Sequence, residues 1–99
     1  MRQVEEKKLL TIIAPGELQR MIVETLKERG IGGYTVVNAT GAGTSGLRSG
    51  MLAGDTSVII YIIMSEARLE GVLEDIDLMM SRGYRLKAFY HDISILPRK

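Results

Sequence analysis

An α+β fold with the element order β-α-β-β-α-β is predicted by three features of this 99-residue sequence. Three short runs rich in β-branched residues, and a fourth carrying Phe89-Tyr90, are set apart by glycine, proline or a long polar loop. Two intervening stretches repeat their apolar residues with helical spacing. The length suits one domain, residues 1–99, around one core. This order predicts two helices on one face of a four-stranded antiparallel sheet, the split-βαβ or ferredoxin-like arrangement.

The first strand is Lys8–Ala14, stopped by Pro15-Gly16. The helix Glu17–Arg29 carries Leu18, Met21, Ile22, Thr25 and Leu26 on one stripe. Gly30 is placed to end it in a left-handed conformation, with Ile31 folding back on the last turn. Tyr34–Ala39 is the second strand, and residues 40–54 form a loop without apolar period. Thr56–Met64 is the third and clearest strand. Ser65 is an expected N-cap, and Glu66 puts negative charge in the first turn that follows. Leu69, Val72, Leu73, Ile76 and Met79 or Met80 mark the second helix, ended by Gly83. Both methionines are expected as core fillers. Glu70, Glu74, Asp75 and Asp77 are expected to form a solvated outer face. The last strand runs from about Arg85 to Asp92, and residues 93–99 read as a tail.

The alternation along the strands has a further implication. One face of the third strand carries Val58, Ile60, Ile62 and Met64, and the other Ser57, Ile59, Tyr61 and Ile63. The first strand divides likewise, Leu10, Ile12 and Ala14 against Leu9, Thr11 and Ile13. Helices cover one face only, and a solvated second face is mostly polar. A second apolar face predicts that further copies of the chain bury it in a closed ring.

Composition excludes several classes of function. The chain has no cysteine and one histidine, which rules out disulfides, thiolate metal sites and a multi-histidine centre within one copy. A net charge of +1 speaks against general nucleic-acid binding. The charged segment Met1–Lys8 does not read as a signal peptide, and the longest apolar run, Val58–Met64, is too short to cross a bilayer. The expected location is cytoplasmic.

The loop is the richest candidate site. Gly41, Gly43, Gly46, Gly50 and Gly54 are five of the chain's 11 glycines. Glycine lets main-chain N–H groups approach anionic oxygens, Thr40, Thr44, Ser45 and Ser49 add hydroxyls, and Arg48 adds a permanent cation suited to phosphate or bicarbonate. Gly41-Ala42-Gly43-Thr44-Ser45-Gly46 matches G-x-G-x-x-G, but a strand follows it rather than a helix, so the dinucleotide fingerprint is rejected. Arg85, Lys87, Arg98 and Lys99 flank the last strand and would complete an anion site if they reach the same cleft. His91 beside Asp92 offers a proton-shuttling pair as the alternative chemistry, for a small trimeric enzyme or a metal-handling protein. A ligand-free adaptor is a third reading.

Gly30-Ile31-Gly32-Gly33-Tyr34-Thr35-Val36 followed by Gly41-Ala42-Gly43 resembles the PII signalling protein superfamily over nearly the whole chain. The nearer likeness is to PII-like proteins linked to carboxysomes and bicarbonate transport, in which Arg48-Ser49 follows the G-x-G at a similar distance. The resemblance implies a homotrimer, not an enzyme, with adenine nucleotides held between subunits and no resident cofactor or metal. It implies nucleotide contacts from Thr35, Gly41, Ala42 and Gly43, from Tyr61 and Ile62 near the base, and from Lys87 and Arg98 at the phosphates. It makes residues 40–54 the flexible T-loop, with Arg48 and Ser49 as its bicarbonate-sensing or switching residues, and a membrane transporter or carboxysome-associated protein the regulated partner. The segment Gly83-Tyr84-Arg85-Leu86-Lys87 is a reduced form of the family's phosphate-binding loop, which favours ADP or AMP over ATP with magnesium. The loop holds no tyrosine, so uridylylation is not expected.

Overall fold

The computed structural model describes residues 1–40 and 57–98. The elements are β1 (Glu5–Pro15), a single 3-10 turn (Gly16–Leu18), α1 (Gln19–Glu28), β2 (Thr35–Ala39), β3 (Ser57–Met64), α2 (Glu66–Ser81) and β4 (Lys87–Ile95). The strands form one antiparallel sheet in the order β2-β3-β1-β4, with the longest strand, β1, inside it. This is the ferredoxin-like α+β architecture that the element order predicts.

Alternation decides the core. Leu10, Ile12 and Ala14 of β1 and Val58, Ile60, Ile62 and Met64 of β3 are buried in one cluster. Ile22 and Leu26 of α1 and Leu69, Val72, Ile76 and Met79 of α2 complete that cluster from the helices. Met79 is a core residue as expected, whereas Met80 is 40% exposed. One residue of helix is 100° of rotation, so only one of two consecutive methionines faces the sheet.

Both helices end alike. Gly30 has φ 81°, its N–H donates to the Lys27 carbonyl, and the Ile31 N–H donates back to the Leu26 carbonyl at 3.0 Å. Gly83 has φ 98°, its N–H donates to the Met80 carbonyl, and the Tyr84 N–H reaches the Met79 carbonyl at 3.2 Å. Each is a Schellman stop, which needs a left-handed residue just past the helix. The fold-back of Ile31 expected from the sequence is present, and that side chain joins the core. Ser65 does occupy the N-cap position with extended backbone, but its side chain makes no capping bond.

Boundaries moved where charged residues pair. β1 begins at Glu5 and β4 ends at Ile95, because these ends zip together in the register Glu5↔Ile95, Glu6↔Ser94, Lys7↔Ile93 and Lys8↔Asp92. Part of the expected tail is therefore strand. Ser94 donates to Glu6 at 2.8 Å, and Lys8 bonds Asp92, whose carboxylate holds the ammonium above the ordinary lysine range.

Asp75 is not part of a purely solvated face. Arg29, just past α1, donates from Nε and Nη2 to its two carboxylate oxygens at 2.8 and 2.9 Å. Arg68 donates to the Arg29 carbonyl at 2.6 Å. The Arg29 guanidinium crosses α2 at Gly71, where a Cβ would lie 2.5 Å from its Nη1. The two helices are thus clasped at one end.

Two outcomes follow from these contacts. Gly83→Ala meets no atom within 4 Å, so it isolates the left-handed backbone cost; denaturant unfolding at fixed protein concentration is expected to show a loss of about 1–2 kcal/mol. The hydrogen bonds from Arg29 lower the Asp75 carboxyl from its ordinary value of 3.8. A depressed folded value means that the pair stabilises above the unfolded value and stops doing so as pH falls through the folded one. Asp75→Asn should lower the melting temperature slightly at neutral pH, with the gap to wild type closing on acidification.

Candidate functional site

The sheet face that no described helix covers is a candidate site, and alternation builds it. Transverse rows can be read from the register. Thr35, Tyr61, Thr11 and Phe89 form one row across all four strands, and Val37, Ile59, Ile13 and Lys87 form the next. On the other side lies the row of Ile63, Leu9 and His91. The face is apolar along its centre, with Val37 43%, Tyr61 38%, Ile63 50% and Phe89 47% exposed. Thr11 is 4% exposed although no helix covers it. Its row neighbours are Tyr61 and Phe89, large enough to shade a threonine between them.

The residues singled out from the sequence divide into groups. Thr35 and Tyr61 are directly paired across β2 and β3. Ile62 is fully buried beneath the helices, so its side chain does not join them. Its main chain has a different status. β3 runs on to Met64 while β2 pairs only as far as Tyr61, so among the described residues the segment 62–64 has no strand beside it on that edge. Main-chain donors and acceptors there suit the polar rim of a planar ligand.

Lys87 lies on the same sheet face but on the opposite edge strand, three strand spacings away, about 14 Å. Arg98 follows the far end of β4, a nine-residue strand away from Lys87. Within one copy, therefore, Thr35, Lys87 and Arg98 do not converge. Gly41, Ala42, Gly43, Arg48 and Ser49, and with them residues 41–54 of the expected T-loop, lie outside the described residues.

His91 and Asp92 do not form a pair. His91 faces the uncovered side opposite Leu9, while Asp92 faces the helix side and is bonded to Lys8. Consecutive strand residues point to opposite faces, so adjacency in sequence separates them in space. Among the described residues no three acids or histidines gather to hold a metal, and no helix is long and apolar enough to cross a membrane.

Two further features were not evident as site elements from the residues alone. Gly32 and Gly33, leading into Thr35, have open space where a Cβ would stand and no left-handed backbone. Nothing among the described residues requires glycine there, and bare main chain is left free for close approach from outside. A groove of about 440 Å³ runs along α1 past Arg20, Val23 and Lys27 to Tyr34. It contains none of Thr35, Tyr61 or Lys87, and it mixes those cations with Glu17 and Glu24.

The connection from α2 to β4, Arg82-Gly83-Tyr84-Arg85-Leu86, has two arginines and no acid. Its one glycine is already committed to ending α2.

A family model described as nitrogen regulatory protein P-II matches residues 7–96. Among solved structures, the chain is similar to CPII of Thiomonas intermedia K12 bound to ADP and bicarbonate, with 26% identity over 98% of this chain and 95% of that one and a TM-score of 0.84. It is similar to a PII-like signalling protein of Thermus thermophilus, with 28% identity over 95% and 93% of the two chains and a TM-score of 0.78. A DUF3240 family protein of Shewanella baltica shares the fold, at 21% identity over 94% and 93% and a TM-score of 0.64. Among curated proteins, no sequence matches this chain.

Proposed function

The chain belongs to the nitrogen regulatory protein P-II family, and on that premise we propose that it is a trimeric signalling protein that binds ADP or AMP in clefts between its subunits. Bicarbonate is the second signal in this reading, and the output is control of inorganic-carbon uptake through a transporter or carboxysome-associated partner. The observation that carries it is the split of the candidate ligand residues between opposite edges of one sheet: Thr35 on β2, Lys87 on β4. A single copy offers half a site at each edge. A ring of copies packed through the apolar sheet face brings one subunit's β4 edge to the next subunit's β2 edge and joins the halves.

In that cleft Thr35 and the free main-chain edge of residues 62–64 meet the adenosine, with Tyr61 beside them and Ile62 contributing backbone only. Lys87 supplies charge to the phosphates, with Arg98 reaching in from a tail. Gly41, Ala42 and Gly43 close over the ligand as the base of the loop, and Arg48 and Ser49 carry the response to bicarbonate. CPII, 26% identical, was crystallised with ADP and bicarbonate, and in another crystal, at 25% identity, with ADP, AMP and bicarbonate. A phosphate connection with no acid and no spare glycine favours the shorter nucleotides over a magnesium-bound triphosphate. Ligand binding orders the loop, which then docks on the partner.

Titration calorimetry with ADP, AMP and ATP, with and without bicarbonate, tests this reading. ADP and AMP should release or absorb heat at micromolar to low millimolar levels, and silence at millimolar ligand would refute it. Lys87→Ala should weaken ADP about 10- to 100-fold, the loss of one charge-assisted hydrogen bond. Ile63→Glu places a charge on the face to be covered. It should keep native circular dichroism, sediment as a protomer and lose ADP binding, since each protomer then has only separated halves of the site.

A further inference from the structure

We infer that His91 makes assembly of this chain proton-sensitive: copies associate through the uncovered sheet face with the imidazole neutral, and association weakens as it becomes protonated. The inference rests on the trimeric reading above. It comes from what surrounds the one histidine of the chain.

His91 faces the apolar side, opposite Leu9 and between Phe89 and Ile93 on its own strand. Covering that face removes water from the ring, which disfavours an imidazolium unless an anion is at hand. The charged and titratable groups on the same face are Glu5 and Lys7 of β1, Tyr61 of β3 and Lys87 of β4, and β2 adds none. Lys7 is diagonal to His91, opposite Ile93, and repels a second cation. Glu5 is one row farther and already paired with Lys7 at 3.9 Å. Lys87, four residues along the strand, is again a cation. Asp92, the acid adjacent in sequence, is on the other face and bonded to Lys8. A neighbouring copy brings the same set of groups. Among the described residues the one acid of this face is Glu5, which lies beyond Lys7 and is paired with it, so the charge nearest the ring is a cation.

The sign follows from linkage. Free imidazole binds a proton near pH 6.5. If the assembled form takes His91 neutral, protons must leave on association, and association weakens as pH falls below that range. The effect is about tenfold per pH unit for each imidazole excluded, and up to about 1,000-fold for three.

Sedimentation of the nucleotide-free protein over a concentration series between pH 8.0 and 5.5 tests it. Wild type should be fully assembled at the upper end and dissociate progressively below about pH 6.5. His91→Gln should assemble at pH 8.0 and lose that dependence. His91→Leu provides the same comparison with an apolar side chain, should glutamine itself disturb packing. Wild-type assembly that is indifferent to pH overturns the inference and leaves the trimeric reading intact. Undiminished pH dependence in both variants also overturns it, assigning the proton to another group. A protomer at every pH overturns the trimeric reading, and this inference with it.

Discussion

A four-stranded sheet has two faces, and the helices among the described residues cover only one. The rest of the molecule depends on that constraint. Leu10, Ile12, Ile60 and Ile62 are fully buried because α1 and α2 lie over them. Ile59, Tyr61, Ile63 and Phe89 are of similar apolar character on the other side, and no segment among the described residues covers them. The second face is therefore the part of the fold that a single copy leaves unfinished.

The same constraint organises the candidate site. A sheet in the order β2-β3-β1-β4 leaves β2 and β4 as edges. The segment preceding Thr35 carries glycines that no described residue crowds, and Lys87 opens the opposite edge strand. Complementary features at opposite edges are the geometry of a head-to-tail contact, and a head-to-tail contact with the right rotation closes into a ring. The ion pairs, by contrast, are concerned with holding one copy together. Arg29, Arg68 and Asp75 tie the helices, and Lys8 with Asp92 lies along the helix-side rim of the sheet.

The architecture was legible because its signals are local. Period-two alternation in β3, helical stripes at Ile22–Leu26 and Leu69–Ile76, and glycines at positions 30 and 83 each act within a few residues. What was not legible came from pairing between distant segments. Glu5–Lys7 carry no apolar pattern, and they are strand only because Ile93–Ile95 lie beside them. Asp75 looks like any exposed helix acid until Arg29 arrives from 46 residues away. For the site, the pairing of Thr35 with Tyr61 emerged from strand register, while the burial of the Ile62 side chain followed from a parity that the resemblance had passed over. His91 and Asp92, adjacent in the sequence, are separated by that same parity.

The matched stops at Gly30 and Gly83 have a consequence for how such a molecule can diversify. Each terminator is self-contained: one left-handed glycine and two back-directed N–H groups end the helix without help from whatever chain comes next. Insertions or deletions downstream of Gly83 therefore leave the register of α2 against the sheet undisturbed. Lineages can lengthen, shorten or recharge that connection while inheriting the scaffold unchanged.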